Sequence, residues 1–211
     1  VVRTRPAIRA TRASRAQIAR IETHGSNMAH VVAVINKDAK DKLMTATEAA
    51  HQTPGETTWV KSEPEGWEGP QKILVILAHP DDPEFFCGAS LARWASQGHE
   101  ITYCLLTRGD KGAQNPDTDP IELGKAREVE QQCAAERIGA KRVFFLDYRD
   151  GTLIPDMASR EAVTRVIRQE RPDILVTCDP TQLFGENNIN HPDHRYVGQI
   201  VIDAVFPAAG N

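Results

Sequence analysis

No CxxC pair, no GxGxxG turn and no apolar run approaching the roughly 20 residues of a membrane-spanning helix occur in the chain. Each absence removes a class of function. Without clustered thiols there is no zinc ribbon and no dithiol redox motif. Without the glycine-rich turn there is no cradle for a dinucleotide pyrophosphate, and no charged-then-apolar leader ending in a small-residue cleavage site is visible. Positive charge is not in excess either: 25 Lys and Arg stand against 29 Asp and Glu, a net charge of -4, so no global field draws the chain to nucleic acid or to an anionic membrane surface. The expected setting is the cytoplasm, with no nucleic-acid partner and no membrane span. Cys87, Cys104, Cys133 and Cys178 lie far apart, three of them in apolar segments where a reduced thiol packs as a small hydrophobe.

What is present is a core-forming chain with an unlike beginning. Its 211 residues, 40% of them apolar, are enough to bury one substantial core. Arg3, Arg5, Arg9, Arg12, Arg15 and Arg20 face a single acid, Glu22, in an Arg-, Ala- and Thr-rich start that suits a transit peptide, a basic arm or upstream sequence with no part in the fold. "HVVAVI" has the makings of a short strand, whereas "HQTPGETTWVKSEPEGWEGP" has the Pro, Gly and Glu content of a linker. Residues 1–70 therefore read as a poorly ordered N-terminal extension, and the organised domain as 71–211.

From Gln71 the pattern becomes regular. "KILVILAH", "EITYCLLT", "RVFFLD" and "DILVTCD" are strands, the first a continuous apolar run of the kind buried on both faces of a parallel sheet. "EFFCGASLARWASQG", "IELGKAREVEQQCAAERIG" and "SREAVTRVIRQE" are the helices between them, the first two stopped by Gly98 and Gly139. This alternation predicts an α/β fold, a Rossmann-like three-layer sandwich with a mainly parallel sheet and right-handed crossovers. In such a sheet ligands bind beyond the carboxyl ends of the strands, near the reversal of strand order. "HPDDPE", "TRGD", "DYRDG" and "DPTQLFGENNINHPDH" each follow a strand and share that edge.

Two of these clusters carry metal-ligand chemistry. Pro80 suits the first turn of a helix, and one helical turn would direct His79 and Asp82, three apart, to the same side, where they can share a cation. A catalytic Zn²⁺ takes three protein ligands. "HPDH" supplies the third from His191 or His194, leaving one His and one Asp over. An attacking water needs a base, and the resulting oxyanion needs a donor or positive charge; the surplus residues match both needs. Each motif alone could be a helix cap with an acidic first turn. Together, at strand ends of one sheet, they point to a hydrolytic metal site, with Zn²⁺ or Fe²⁺ as the ion. Spacing alone leaves Asp81 and Asp82 interchangeable as ligand and base.

"AHPDDPE" with a later "HPDHR" resembles the LmbE-like, or PIG-L, family of metal-dependent N-deacetylases, over residues 71–211. The resemblance implies His79, Asp82 and His194 as zinc ligands, Asp81 as general base and His191 as the imidazolium that stabilises the oxyanion. It also implies substrate contacts from Arg127, in "KAREVE", and from Asp150, in "YRDG", the latter to sugar hydroxyls. Bland alternatives are a surface pair of Arg127 with Glu130, and a turn before Gly151 for Asp150. Glu84 orients the metal site or caps a helix; Arg108 and Asp110 line the pocket or are solvated loop charges; Asp179 is a turn residue or a support for the site. His24, His30, His51 and His99 are expected to be exposed and inert. The implied reaction is zinc-dependent removal of acetate from an N-acetylated amino sugar of GlcNAc type, or its conjugate. Its rivals are an amidase on a thiol or other acyl-amine conjugate and an inactive carbohydrate-binding module. Family members continue beyond this motif, so the domain is expected to be truncated at its C-terminus. Self-association into a homo-oligomer stays open.

Overall fold

A computed structural model of the chain describes residues 17–21, 31–35, 67, 69–184 and 188–209. After two short strands, β1 (Gln17–Ile21) and β2 (Val31–Ile35), the elements alternate: β3 (Lys72–Leu77), α1 (Asp82–Ser96), β4 (Glu100–Thr107), α2 (Pro120–Ile138), β5 (Arg142–Tyr148), α3 (Met157–Glu170), β6 (Ile174–Cys178) and α4 (Pro192–Asp203). The sheet runs β1-β2-β6-β3-β4-β5. Strands β3, β4, β5 and β6 pair in parallel, whereas β2 pairs antiparallel with both β6 and β1. The α/β sandwich with a mainly parallel sheet is thus the observed fold. Two strands of its sheet come from the segment that composition set apart as an extension.

Burial explains the strand assignments. Every residue of β3 after Lys72 is buried, as is all of β6, so the apolar runs lie in the middle of the sheet and not at an edge. Leu91 and Trp94 of α1, and Val197, Ile200 and Val201 of α4, press onto this core. Helix α1 packs with α2, and α3 with α4.

Helix ends follow local chemistry. Asp119 caps α2 by accepting the Ile121 N–H at 2.8 Å, and α2 stops at Gly139 with φ 94, where a left-handed residue closes the last turn. Asp156 and Ser159 form a reciprocal capping box on α3. Helix α1 begins at Asp82, so its N-terminal proline is Pro83; Pro80, expected in the first helical turn, lies in the turn before it.

Close approach sets the position of α4. A Cβ at Gly198 would lie 2.3 Å from the Cys178 carbonyl oxygen, so only glycine lets the helix rest on the end of β6. His99 departs from its expected exposure. It is 6% exposed, its Nδ1 accepts the Gln71 N–H at 2.9 Å, and its ring meets that of Trp67, which also packs on Trp94 at 5.2 Å. His24, His30 and His51 lie outside the described residues. Among the described residues no helix is long and apolar enough to cross a membrane.

Candidate metal centre

Strand order reverses between β3 and β6, because β4 and β5 extend the sheet from one side of β3 while β6 lies on the other. The crevice beyond their carboxyl ends receives His79 from the turn after β3, and His191 and His194 from the start of α4. His191 is the N-cap of α4, so "HPDH" straddles the loop and the first helical turn.

His79 and Asp82 do meet, but not as neighbours on a helix. Asp81 between them adopts φ 84, in the left-handed region, and the Asp82 carboxylate folds back to accept the N–H groups of Ala78 at 3.1 Å and His79 at 2.8 Å. The same twist sends the two acids apart. Asp82 is 4% exposed, whereas the Asp81 side chain is 72% exposed at the mouth of the site.

Three donor groups converge. His79 Nδ1 lies 3.3 Å from His194 Nε2 and 3.5 Å from Asp82 Oδ2, and His194 Nε2 lies 3.1 Å from Asp82 Oδ1. Ligands about 2.0–2.2 Å from a tetrahedral ion are separated by roughly 3.3–3.6 Å, so the spacing of these atoms fits a cation at their centre. His191 completes an overlapping set, with a ring nitrogen within 4.8 Å of those of His79 and His194. Its Nδ1, however, accepts the Asp193 N–H at 3.2 Å, and its ring is more exposed.

Charge makes the same point. The far nitrogen of His79, Nε2, lies 3.1 Å from Asp150 Oδ1 and 3.4 Å from Asp193 Oδ2. Asp82, Asp150 and Asp193 are 4%, 6% and 1% exposed, so three carboxylates surround one imidazole. Burial opposes a charge on His79, yet Asp150, Asp193 and Asp82 outweigh it and lift its pKa to about 11. Asp82 is likewise held well below the usual carboxylate range, its burial outweighed by hydrogen bonds from His194 and His79. A buried negative cluster of this kind is stabilised by a cation, whether proton or metal.

Asp150, expected at sugar hydroxyls, is instead buried: Oδ1 faces His79, and Oδ2 accepts the Lys111 N–H at 3.1 Å. Asp110 Oδ1 in turn accepts the Asp150 N–H at 3.2 Å. Asp193, which spacing did not single out, accepts the N–H groups of Gly151 at 2.7 Å and Leu153 at 3.2 Å while facing His79. It ties the start of α4 to the loop after β5. Its only sequence signal is its place inside "HPDH".

Arg127 does not pair with Glu130. Its guanidinium donates to the carbonyls of Gly109 at 2.9 Å and Pro80 at 2.8 Å and to Asp81 Oδ2 at 2.9 Å. Gly109, at φ 63, makes room for it, since a Cβ there would lie 2.1 Å from Arg127 Nη1. Glu84 accepts from Gln131, Arg108 pairs with Glu128 and with Asp147 at 2.5 Å, and Asp179 Oδ1 accepts from Thr181 in a tight turn. Partial desolvation of Asp81 raises its pKa, Arg127 pulling against the rise and the Asp82 charge adding to it. Burial lowers that of His191, helped by the positive charge of His79 and His194.

A family model described as GlcNAc-PI de-N-acetylase, PIG-L, matches residues 74–205, the span holding all of these groups. The chain belongs to the PIG-L family. Among curated proteins of similar sequence, the diacetylchitobiose deacetylase of Thermococcus kodakarensis is 34% identical over 135 residues, covering 64% of this chain and 49% of the relative. The 1D-myo-inositol 2-acetamido-2-deoxy-alpha-D-glucopyranoside deacetylase of Kineococcus radiotolerans is 30% identical over 173 residues, covering 67% and 46%. The chain spans about half the length of these PIG-L relatives. Among solved structures, N,N'-diacetylchitobiose deacetylase from Pyrococcus horikoshii superposes with TM-score 0.59 at 31% identity, over 64% of this chain and 49% of that one. A 4-carboxy-2-hydroxymuconate hydratase from Pseudomonas putida, 24% identical with TM-score 0.52, over 64% of this chain and 55% of that one, shares the fold alone.

Proposed function

We propose that this chain carries the metal and base residues of a zinc-dependent hydrolase that removes acetate from an N-acetylated amino sugar of GlcNAc type, or from its conjugate. The observation that carries this reading is the convergence of His79 Nδ1, Asp82 and His194 Nε2 beside the exposed carboxylate of Asp81. The substrate class follows the sugar deacetylases among its relatives. On this reading residues 71–211 are the catalytic unit and 1–70 an extension. The free thiols accord with a reducing, cytoplasmic setting.

His79, Asp82 and His194 would hold the ion, which supplies Lewis-acid activation of water and of the amide carbonyl. Asp81 takes the proton of the attacking water and, once the C–N bond breaks, delivers it to the leaving amine. Partial desolvation suits it to that exchange. Because His191 Nδ1 accepts the Asp193 N–H, its proton sits on Nε2, so this side chain can donate to the oxyanion whether neutral or charged. This broadens the imidazolium role expected for it. Arg127 braces Asp81 at the substrate edge, and Asp150 acts on the far nitrogen of His79.

The test is acetate release from a panel of N-acetylglucosamine conjugates by the full-length protein, with metal content measured on the same sample. One equivalent of zinc and chelator-sensitive acetate release are expected. Bound metal with no acetate from any sugar would transfer the reading to another acylated amine; sugar binding by a metal-free protein would favour an inactive module.

A further inference from the structure

Gln131 takes no part in the chemistry above, yet its side chain is built into the turn that holds Asp81. It lies on α2, one helical turn after Arg127 and on the same face, and is 2% exposed. Its Oε1 accepts the Asp81 N–H at 2.6 Å, and its Nε2 donates to both carboxylate oxygens of Glu84, at 3.1 and 3.0 Å. The amide has one acceptor and one donor end, and each faces the partner of opposite kind. Glu84 therefore fixes which way the amide points, and the amide fixes the Asp81 backbone.

That backbone is under conformational strain. Asp81 holds φ 84 with a Cβ, a conformation that persists only where its surroundings enforce it. Its carbonyl accepts the Phe85 N–H at 2.9 Å, but its side chain makes no capping bond to α1, so the helix holds only one side of the twist. Arg127 grips the carbonyl of Pro80 and the carboxylate of Asp81; Gln131 grips the N–H between them.

We propose that Gln131 is a positioning residue for the general base: it locks the Asp81 backbone in its left-handed turn, with Glu84 orienting the amide, and so aims the carboxylate at the attacking water. The inference rests on the assignment of Asp81 as base, and a displacement of that carboxylate by ~1 Å is enough to slow turnover about 100-fold.

The experiment compares variants of the full-length protein on an N-acetylglucosamine conjugate. Gln131→Leu keeps the volume but removes both polar ends; kcat should fall by about 100-fold with KM and zinc content unchanged. Gln131→Glu should also be slow, because it sets two carboxylates against each other. The exchange Gln131→Glu with Glu84→Gln rebuilds the bridge with donor and acceptor swapped and should recover most of the loss. In an Asp81→Ala background, Gln131→Leu should cause no further fall. A Gln131→Leu protein with unaltered kcat, or a swap no faster than Gln131→Glu alone, would overturn the proposal. If the unaltered protein releases no acetate, the reading of the reaction fails, and the bridge is judged by hydrogen exchange at the Asp81 amide. Protection lost in Gln131→Leu supports it, and protection retained overturns it.

Discussion

Asp81 and Asp82 are adjacent and chemically identical, and a single backbone torsion separates their roles. With Asp81 at φ 84, Asp82 turns inward onto two backbone N–H groups and Asp81 turns out toward Arg127. Asp81→Ala is therefore expected to lower turnover by about 10²–10⁴-fold while leaving zinc bound, since a general base contributes on that order. Loss of zinc from the variant would reverse the assignment of the pair. Asp193→Asn tests a different function. Its carboxylate faces the far nitrogen of His79, and such supports typically contribute about 10–100-fold in metal affinity. Zinc competition titrations should show a weakening of that order. Neither residue's role could be derived from spacing, because a left-handed residue leaves no periodic trace and Asp193 reaches His79 only across the fold.

At the scale of elements, the site depends on α4 being held against the end of β6. Adding a Cβ at Gly198 would force it into the Cys178 carbonyl, so Gly198→Ala must push the helix outward. Overpacking of this kind costs about 1–3 kcal/mol. Because His191 and His194 ride on the first turn of the same helix, zinc affinity should fall along with Tm, whereas an equally destabilising change in α3 should lower Tm alone. The four parallel strands and the bodies of the helices were legible in the chain, because apolar runs and amphipathic periods are local patterns, whereas β1 was not read and β2 only as a possible short strand. The start of α1 was not legible either. Pro80 and Pro83 both suit a first helical turn, and the hydrogen bonds that favour Pro83 come from the folding back of Asp82, two residues after Pro80.

Across the whole molecule, the candidate metal centre gathers side chains from separate elements: His79 and Asp82 after β3, Asp150 after β5, and Asp193 and His194 from α4. An ion held there would link these elements and bind only the folded state. Adding zinc at 100 times its Kd should stabilise the protein by about 2.7 kcal/mol, and chelation should reverse it. Calorimetry with and without chelator reads this directly, and an unchanged Tm would contradict a site joining these elements.

Residue order by itself determined the α/β alternation, the sheet edge that bears the polar clusters, and the pairing of "HPDD" with "HPDH" as one candidate centre. These follow from local periodicity and from the rule that parallel strands share their carboxyl edge. Only the tertiary structure decided which acid turns inward, that Asp150 and Asp193 both back His79, and that Arg127 and Gln131 of α2 grip the turn carrying Asp81. Those contacts join residues tens of positions apart. Their geometry depends on how the helices pack on the sheet, which no local pattern in the chain encodes.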